Sequence, residues 1–204
     1  MALKKIQQRI AFKEQEILVW IPDVLELQQT YQENPLKDNF PFWANLWPAA
    51  FALTHFLEEH PQWISNKKVL ELAAGLGLPS LLASQYADSV ICSDQDQEAV
   101  AFINNNIALN RIENMGAACI DWADIPADLE WEVLLMSDVN YNPDNFETLL
   151  EQIKQLLAAG KTIILSTPQR LAGKSFIMEL LPYCILNEQK WHEQTAINVL
   201  VLKS

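Results

Sequence analysis

The sequence predicts an α/β fold, a sandwich with a mostly parallel sheet and one antiparallel strand. Three observations lead to this prediction. Five short apolar runs alternate with helical patterns between residues 69 and 166, which is typical of a parallel sheet covered by helices. A turn with two glycines, at residues 73–77, directly follows the first of these runs. Two further apolar runs, at residues 183–188 and 196–202, are spaced as an antiparallel pair.

Composition predicts a single domain over residues 1–204, in which residues 1–40 form an N-terminal extension and a polar loop. Half of the residues are hydrophobic, yet no apolar run approaches the roughly 20 residues of a membrane span. The first residues also lack the apolar segment of a signal peptide, so we expect no membrane partner. A net charge of −12 argues against nucleic-acid binding and favours a partner with a basic surface.

The cysteines Cys92, Cys119 and Cys184 are odd in number and lie in or beside apolar runs. This usage predicts reduced thiols and a cytoplasmic location, in contrast to the disulfide framework of a secreted protein. The histidines of the chain show no metal-ligand spacing with these cysteines, so the sequence predicts no metal site.

The N-terminal extension contains two short apolar runs, at residues 10–12 and 17–21, which predict a β-hairpin. The first helix is predicted to begin at Pro48, a residue suited to a first helical turn. Trp43 and Trp47 lie four residues apart just before this helix. Two interpretations stay open for these tryptophans, packing in the core or a wall over the mouth of a cofactor site.

The first strand of the sheet, at residues 69–72, carries Glu71 and leads into the glycine turn. Gly75 and Gly77 allow the backbone to approach a ligand that a Cβ atom would block. A helix and a second strand follow, and Asp94 ends that strand 19 residues after Gly75. An acid about 20 residues beyond such a turn binds the ribose diol in nucleotide-binding βαβ units.

The glycine turn does not favour a dinucleotide. Ser80 occupies the third glycine position of the dinucleotide motif, and a buried carboxylate at Glu71 would repel a pyrophosphate. The same pattern suits S-adenosylmethionine, which offers a ribose diol to Asp94 and an ammonium group to the region of Glu71. The alternative is a plain α/β crossover in which the glycines only form a tight turn.

A helix at about residues 96–109 precedes the third strand, residues 115–120, which ends in Asp121 and Trp122. An acid and an indole at the carboxyl end of a strand can bracket an adenine. The acid accepts from its amino group and the indole packs on its face. The alternative is a solvated turn with a partly buried tryptophan.

The fourth strand, at residues 132–136, is followed by a polar loop that carries Asp138 and Tyr141. This position favours substrate chemistry in an open α/β sheet. The alternative for Asp138 is a loop acid or a helix cap. The elements predicted between this loop and the terminal strand pair are a helix at residues 146–157, a strand at residues 162–166 and a helix at residues 173–181.

With these residues in place, the chain resembles the seven-strand S-adenosylmethionine-dependent methyltransferases, which implies a Rossmann-like methyltransferase sandwich. More narrowly, it is similar to nicotinamide-N-methyltransferase-like proteins and protein-lysine methyltransferases, including the electron transfer flavoprotein β-subunit lysine methyltransferases. The resemblance covers about residues 40–170. It depends on the motifs PFWANLWPAAFAL, VLELAAGLGLPS, the strand ending at Asp94, and SDVNY, which matches the group's acid-x-x-aromatic motif.

The resemblance implies a cofactor-binding set for S-adenosylmethionine and a pair of catalytic residues. The implied cofactor-binding residues, from the methionine part through ribose and adenine to the pocket wall, are Glu71, Ala73, Gly75, Gly77, Asp94, Asp121, Trp122, Trp47 and Ser137. The implied catalytic residues, facing the methyl acceptor, are Asp138 and Tyr141. The chain departs from the group at Ala73, where glycine is usual.

The activity that the resemblance implies is N-methylation, and we expect the acceptor to be a lysine on a specific protein. Asp138 would pair with the incoming ammonium, while Tyr141 would wall the aliphatic stem. Two alternatives stay open. One is methylation of a small-molecule amine, which the fold serves equally well. The other is a protein that binds S-adenosylmethionine without catalysis.

Overall fold

The computed structural model describes residues 4–13, 15–23, 25–27, 41–170 and 173–204, so most of the predicted N-terminal loop lies outside the described residues. The strands are β1 Lys5–Ala11, β2 Glu16–Pro22, β3 Lys68–Leu72, β4 Ser89–Asp94, β5 Met115–Cys119, β6 Val133–Ser137, β7 Thr162–Pro168, β8 Cys184–His192 and β9 Thr195–Leu202. Helices α1 to α5 are Pro48–Glu59, Leu78–Ala83, Gln97–Asn110, Phe146–Ala158 and Lys174–Leu180. Short 3₁₀ helices cover Phe42–Ala44, Pro61–Trp63, Pro143–Asn145 and Leu181–Tyr183.

Strands β3 to β9 form one sheet in the order β5-β4-β3-β6-β7-β9-β8, and β1 and β2 form a separate antiparallel hairpin. All neighbours from β5 to β7 pair in parallel, whereas β9 runs antiparallel to β7 and β8. The predicted fold class is therefore confirmed. The chain builds outward from β3 to β5 and then returns to the other side of β3 with β6. Such a reversal opens a crevice at the carboxyl ends of the two strands.

Two helical layers cover the sheet, and successive residues of a strand point into opposite layers. Val69 and Leu135 pack in the cluster of α1, α2 and α3, while Leu70 and Leu134 pack in the cluster of α4 and α5. Burial on both faces explains why the central strands are continuous apolar runs. Among the described residues, no helix is long and apolar enough to cross a membrane.

Observed strands are longer than predicted at several places, including β8, which continues to His192, and two of the differences have a physical reason. The strand predicted at residues 162–166 continues to Pro168, which lies opposite Ile197 of β9. Proline has no N–H to donate, and this loss is tolerated at the end of a strand. The N-terminal hairpin is also longer than its apolar runs, because β1 is mostly exposed and pairs with β2 through backbone.

A charged network joins the end of α1 to β8. Glu59, His60 and Glu188 bring one ligand atom each within 4.8 Å of one another, a grouping that could hold a metal ion. Lys190 Nζ donates to both carboxylates, and Lys13 Nζ donates to Glu59 at 2.7 Å. These bonds lower the pKa of Glu59 to about 2. The ammonium groups of Lys13 and Lys190 thus already neutralise the two carboxylates. We therefore assign the cluster a structural role, in which it connects α1 to the terminal hairpin.

Glu71 lies fully buried in β3, beneath the glycine turn. Its Oε2 accepts from the Ser80 N–H at 3.0 Å and from Ser80 Oγ at 2.5 Å, while no described residue hydrogen-bonds Oε1. Burial raises the pKa of Glu71 to about 8, although the bonds from Ser80 oppose this rise. At neutral pH the side chain is therefore a neutral acid within the core.

We predict that Glu71 makes folding stability fall as the pH rises from about 4.5 to about 8. Over this window the folded state holds a proton that the unfolded state has released, so the loss is at most about 1.4 kcal/mol per pH unit. Glu71→Gln keeps the shape and removes the titration, so its free energy of unfolding should depend less on pH in urea titrations between pH 5 and 8. Exposed Glu130 has its pKa lowered by Lys68, so the control Glu130→Gln should leave this window unchanged. Equal slopes for wild type and Glu71→Gln would contradict the prediction.

Candidate active site

A cavity of about 840 Å³ lies at the crevice between the carboxyl ends of β3 and β6. Its walls come from the turn after β3, the loops after β4 and β6, the end of β5 and the segment before α1. This volume is in the range of cofactor and small-molecule sites. The reversal of strand order therefore coincides with a space of suitable size.

Most of the predicted site residues meet on this cavity. Those that line it are Trp47, Ala73, Gly75, Asp94, Trp122, Ser137, Asp138 and Tyr141. Glu71 and Gly77 instead face protein atoms, and Asp121 is exposed outside the lining. Direct cofactor contacts of these three residues stay predictions.

The turn after β3 has a left-handed backbone at Ala73, Gly75 and Gly77, with φ of 52°, 58° and 75°. A Cβ on Gly75 would lie 3.0 Å from the carbonyl oxygen of Trp43, and one on Gly77 would lie 2.8 Å from Sγ of Cys92. Both glycines therefore have a reason within the protein itself, and the sequence interpretation, in which the missing Cβ atoms leave room for a ligand, stays a prediction. The left-handed backbone and close packing against the protein require these glycines.

Asp94, at the end of β4, holds this turn to the neighbouring strand. Its Oδ2 accepts from the N–H of Gly75 at 2.9 Å, and its Oδ1 accepts from the N–H of Asp96 at 3.0 Å. Burial raises the pKa of Asp94, while the backbone bonds from Asp96 and Gly75 oppose that rise. Each carboxylate oxygen keeps a further lone pair. The acid can therefore hold the turn and also accept from the two hydroxyls of a diol.

An apolar wall adjoins Asp94 at the end of β5. Ile120 and Trp122 line the cavity there, and the N–H of Ile120 donates to the Asp94 carbonyl at 3.1 Å. Asp121 Oδ1 accepts from the N–H of Ala123 at 2.9 Å, so this carboxylate caps its own turn. An apolar wall beside an acid that can accept from a diol suits an aromatic base attached to ribose.

Three exposed aromatic residues, Phe42, Trp47 and Tyr141, form what we call the aromatic rim of the cavity. The Phe42 ring centroid lies 6.2 Å from that of Trp47 and 5.7 Å from that of Tyr141. Trp47 Nε1 also donates to the Phe42 carbonyl at 2.8 Å. Trp43, by contrast, is buried and packs on Phe102. Core packing thus describes mainly Trp43, while the wall interpretation describes Trp47.

Asp138, just after β6, is paired with Arg170, a residue that the sequence interpretation omitted. Arg170 Nη1 donates to Oδ1 at 2.5 Å and Nη2 donates to Oδ2 at 2.9 Å. The Asp138 side chain is 9% exposed and that of Arg170 is 40% exposed. Arg170 follows β7, which neighbours β6 in the sheet. Its place at the same carboxyl edge was the signal that could have identified it.

These walls fit S-adenosylmethionine in the order of its parts. Asp94 suits the ribose, Ile120 and Trp122 suit the base, and the turn at Ala73 and Gly75 lies where the methionine part would extend. The aromatic rim and Asp138 remain for a second molecule.

A family model described as lysine methyltransferase matches residues 41–182, well over half of the chain. The matched range includes the glycine turn, Asp94 and the loop with Asp138. The chain belongs to the lysine methyltransferase family. Membership agrees with the resemblance expected from the sequence motifs.

Curated relatives of this lysine methyltransferase family member differ in the acceptor that their names state. The chain is 29% identical over 150 residues to histone-arginine methyltransferase METTL23 of Xenopus laevis, covering 71% of the chain and 58% of the relative. It is 29% identical over 168 residues to protein N-terminal and lysine N-methyltransferase EFM7 of Candida glabrata, covering 74% and 65%. It is 27% identical over 126 residues to the human electron transfer flavoprotein beta subunit lysine methyltransferase, covering 61% and 48%. The matches thus span about half to two thirds of these relatives' lengths.

The fold of this lysine methyltransferase family member is also found among solved structures. The 16S rRNA N2 G1207 methyltransferase RsmC of T. thermophilus, in complex with AdoMet and guanosine, matches with a TM-score of 0.69 and 15% identity. The match covers 100% of the chain and 51% of that structure. At this identity the likeness shows the shared fold alone.

We predict that Ala73→Gly stabilises the protein. Ala73 is held at φ 52°, where a Cβ atom is strained and glycine is not. After allowance for the greater entropy of glycine in the unfolded chain, the gain should be about 0.5–1 kcal/mol in urea unfolding. Ala74→Gly is the matched control and should destabilise, because Ala74 has no positive φ to relieve. A destabilised Ala73→Gly variant would contradict this account of the turn.

We predict that Asp94→Asn weakens binding of S-adenosylhomocysteine by about 1.5–3 kcal/mol, as for a hydrogen bond to a charged group. Isothermal titration measures the effect. The control is Asp96→Asn, which also changes a cavity acid but keeps a good cap for α3, where Asp96 accepts from the N–H of Glu98. Full affinity in a folded Asp94→Asn variant would show that the ribose binds elsewhere.

Proposed function

We propose that this chain is an S-adenosylmethionine-dependent N-methyltransferase that methylates a lysine side chain of a specific protein. One observation carries the proposal: a single cavity has Asp94 on its cofactor wall and Asp138 with the aromatic rim on another wall. Family membership supports the reaction class, and relatives named as lysine methyltransferases support the acceptor.

When bound, S-adenosylmethionine supplies a methyl group that its sulfonium already activates for transfer. The chain's own residues therefore need to bind, orient and exclude water, with little acid–base chemistry. We assign the ribose to Asp94 and the base to Ile120 and Trp122. The turn at Ala73 and Gly75 would hold the methionine part, and Trp47 and Ser137 would complete the wall.

We propose that the acceptor enters through the aromatic rim. The rings of Tyr141 and Phe42 offer apolar surface to the aliphatic stem of a lysine. Asp138 would attract the ammonium and orient its nitrogen. Arg170 already donates to each carboxylate oxygen, so an incoming ammonium would either use a remaining lone pair or replace one of these hydrogen bonds. Because the Arg170 side chain is 40% exposed, solvent can take over the bond that it gives up.

An arginine acceptor is the second candidate. Asp138 already binds one guanidinium through two parallel hydrogen bonds, the geometry that a substrate arginine would also offer. The METTL23 relative is named a histone-arginine methyltransferase. We rank lysine first because the family model that matches the site carries that description.

The charge of the chain supports a protein partner with a basic surface. At −12, the chain would be repelled by nucleic-acid phosphates and by anionic membranes, so we propose neither as a partner. The described cysteines are unpaired, which supports a reducing compartment such as the cytoplasm. We further propose one domain over residues 1–204, because Ile17 and Val19 of the hairpin share a core cluster with α1 and α3.

Incubation of the purified protein with tritiated S-adenosylmethionine and a cell lysate tests the proposed function. A labelled protein band is the expected result. A labelled small molecule in place of the band would overturn the protein acceptor, and binding without any label would indicate a non-catalytic protein. Asp94→Asn serves as the matched negative control.

We predict that Asp138→Asn lowers methyl transfer to the labelled acceptor about 100-fold, because the acceptor nitrogen loses its alignment. The fold should persist, since Asp138 has φ 54° and asparagine tolerates that conformation. Affinity for S-adenosylmethionine should stay within about twofold, since Asp138 is assigned no cofactor contact.

Arg170→Gln is the matched variant, because it frees the Asp138 carboxylate. It should retain transfer and lower the KM for the protein acceptor. Transfer by Asp138→Asn at the wild-type rate would refute the role assigned to this carboxylate.

A further inference from the structure

Two asparagines near the end of α3 dock the N-terminal hairpin on the domain. Asn110 Oδ1 accepts from the N–H of Leu18 at 3.1 Å, and its Nδ2 donates to the Leu18 carbonyl at 2.7 Å. Asn106 Oδ1 accepts from the N–H of Trp20 at 2.6 Å, and its Nδ2 donates to the Trp20 carbonyl at 3.4 Å. Asn106 and Asn110 lie one helical turn apart and bond Trp20 and Leu18, which lie two residues apart on β2. Each side-chain amide thus pairs with the backbone of β2 as a neighbouring strand would.

The two asparagines differ in one contact. Asn106 is fully buried, and its Nδ2 also donates to the Leu76 carbonyl at 3.1 Å. Leu76 lies between Gly75 and Gly77, in the turn that lines the cavity. The corresponding extra bond of Asn110 goes to the Asn106 carbonyl in its own helix, at 2.7 Å. Only Asn106, of this pair, connects the hairpin to the turn.

We propose that Asn106 is a positioning residue that couples docking of the N-terminal hairpin to cofactor binding. The inference rests on the proposed function, in which S-adenosylmethionine binds along the turn. One buried amide group holds Trp20 with its oxygen and Leu76 with its nitrogen, so displacement of either partner disturbs the other. The hairpin thereby belongs to the support of the cofactor site, although it does not line the cavity in the described residues.

The conformation of the glycine turn depends on this bond because its backbone is otherwise weakly restricted. Gly75 and Gly77, on either side of Leu76, both have positive φ, and the backbone at glycine is the least restricted of any residue. Other bonds that hold the turn run from the Gly75 N–H to Asp94, from the Ala74 N–H to the Ser93 carbonyl at 2.9 Å and from the Gly77 N–H to the Ala74 carbonyl at 2.9 Å. Loss of the Asn106 bond leaves a buried carbonyl unpaired next to the proposed path of the methionine part, which destabilises this conformation of the turn unless the turn rearranges.

Coupling between two sites is reciprocal, so it can be measured from both sides. From the hairpin side, Asn106→Ala should lower the affinity for S-adenosylhomocysteine about tenfold in titration calorimetry, as for one buried hydrogen bond. Asn110→Ala removes the corresponding pair of bonds to Leu18 but none to the turn, and Trp20 stays bonded to Asn106, so the affinity should stay within about twofold. From the cofactor side, S-adenosylhomocysteine should slow amide hydrogen exchange at Trp20 more than at Leu18.

The experiment uses the full chain and measures affinity by titration calorimetry, stability by thermal unfolding and protection by amide hydrogen exchange. Unchanged affinity in a folded Asn106→Ala variant, or an equal loss in Asn110→Ala, would overturn the coupling. If Asn106→Ala does not fold, the exchange comparison on wild type decides, and equal protection of Trp20 and Leu18 overturns the proposal. Failure of wild type to bind S-adenosylhomocysteine would refute the proposed function itself, so the two failures are distinct.

Discussion

The reversal of strand order at β3 and β6 is the constraint on which the rest of the site depends. Parallel strands end at the same edge of a sheet, and at this reversal the following chain segments leave in opposite directions. Asp94, at the end of β4, and Asp138, just after β6, therefore face one cavity although 43 intervening residues separate them in the sequence. The turn after β3 lies between them and is held by the Asp94 carboxylate. Cofactor wall and acceptor wall thus follow from one feature of the topology.

The sequence predicted the features that are encoded locally. Apolar runs buried on both faces identify the central strands, and Gly75 with Asp94 at a fixed spacing identifies the βαβ unit whose turn and acid line the cavity. The aromatic position of Tyr141 follows from a short motif in the same way. These predictions succeed because each depends on residues in one continuous segment and on a backbone geometry with few alternatives.

The features that the sequence did not reveal depend on side-chain directions and on distant partners. Glu71 was expected near a ligand ammonium, and this contact stays a prediction; the sequence did not reveal that alternation along β3 turns the side chain into the layer of Val69, where Ser80 binds it. Arg170 pairs with Asp138 across 32 positions, and Asn106 reaches Trp20 across 86. Contacts of this kind are set by packing of whole elements, which no local pattern encodes. They bear on the chemistry of the site, since Asp138 is paired with Arg170 and the glycine turn is held by Asn106.

Methyl transfer to the side-chain nitrogen of a protein lysine is the activity on which the proposed function depends. Acid hydrolysis of the labelled acceptor protein, followed by amino-acid analysis, identifies the residue that received the methyl group. N-methyl bonds survive the hydrolysis, and each methylated amino acid elutes at its own position in the chromatogram. The expectation is radioactivity in methylated lysine, which should be lost when the acceptor is incubated with Asp138→Asn. Radioactivity in methylarginine, or at the N-terminal amino group of the acceptor, would contradict it.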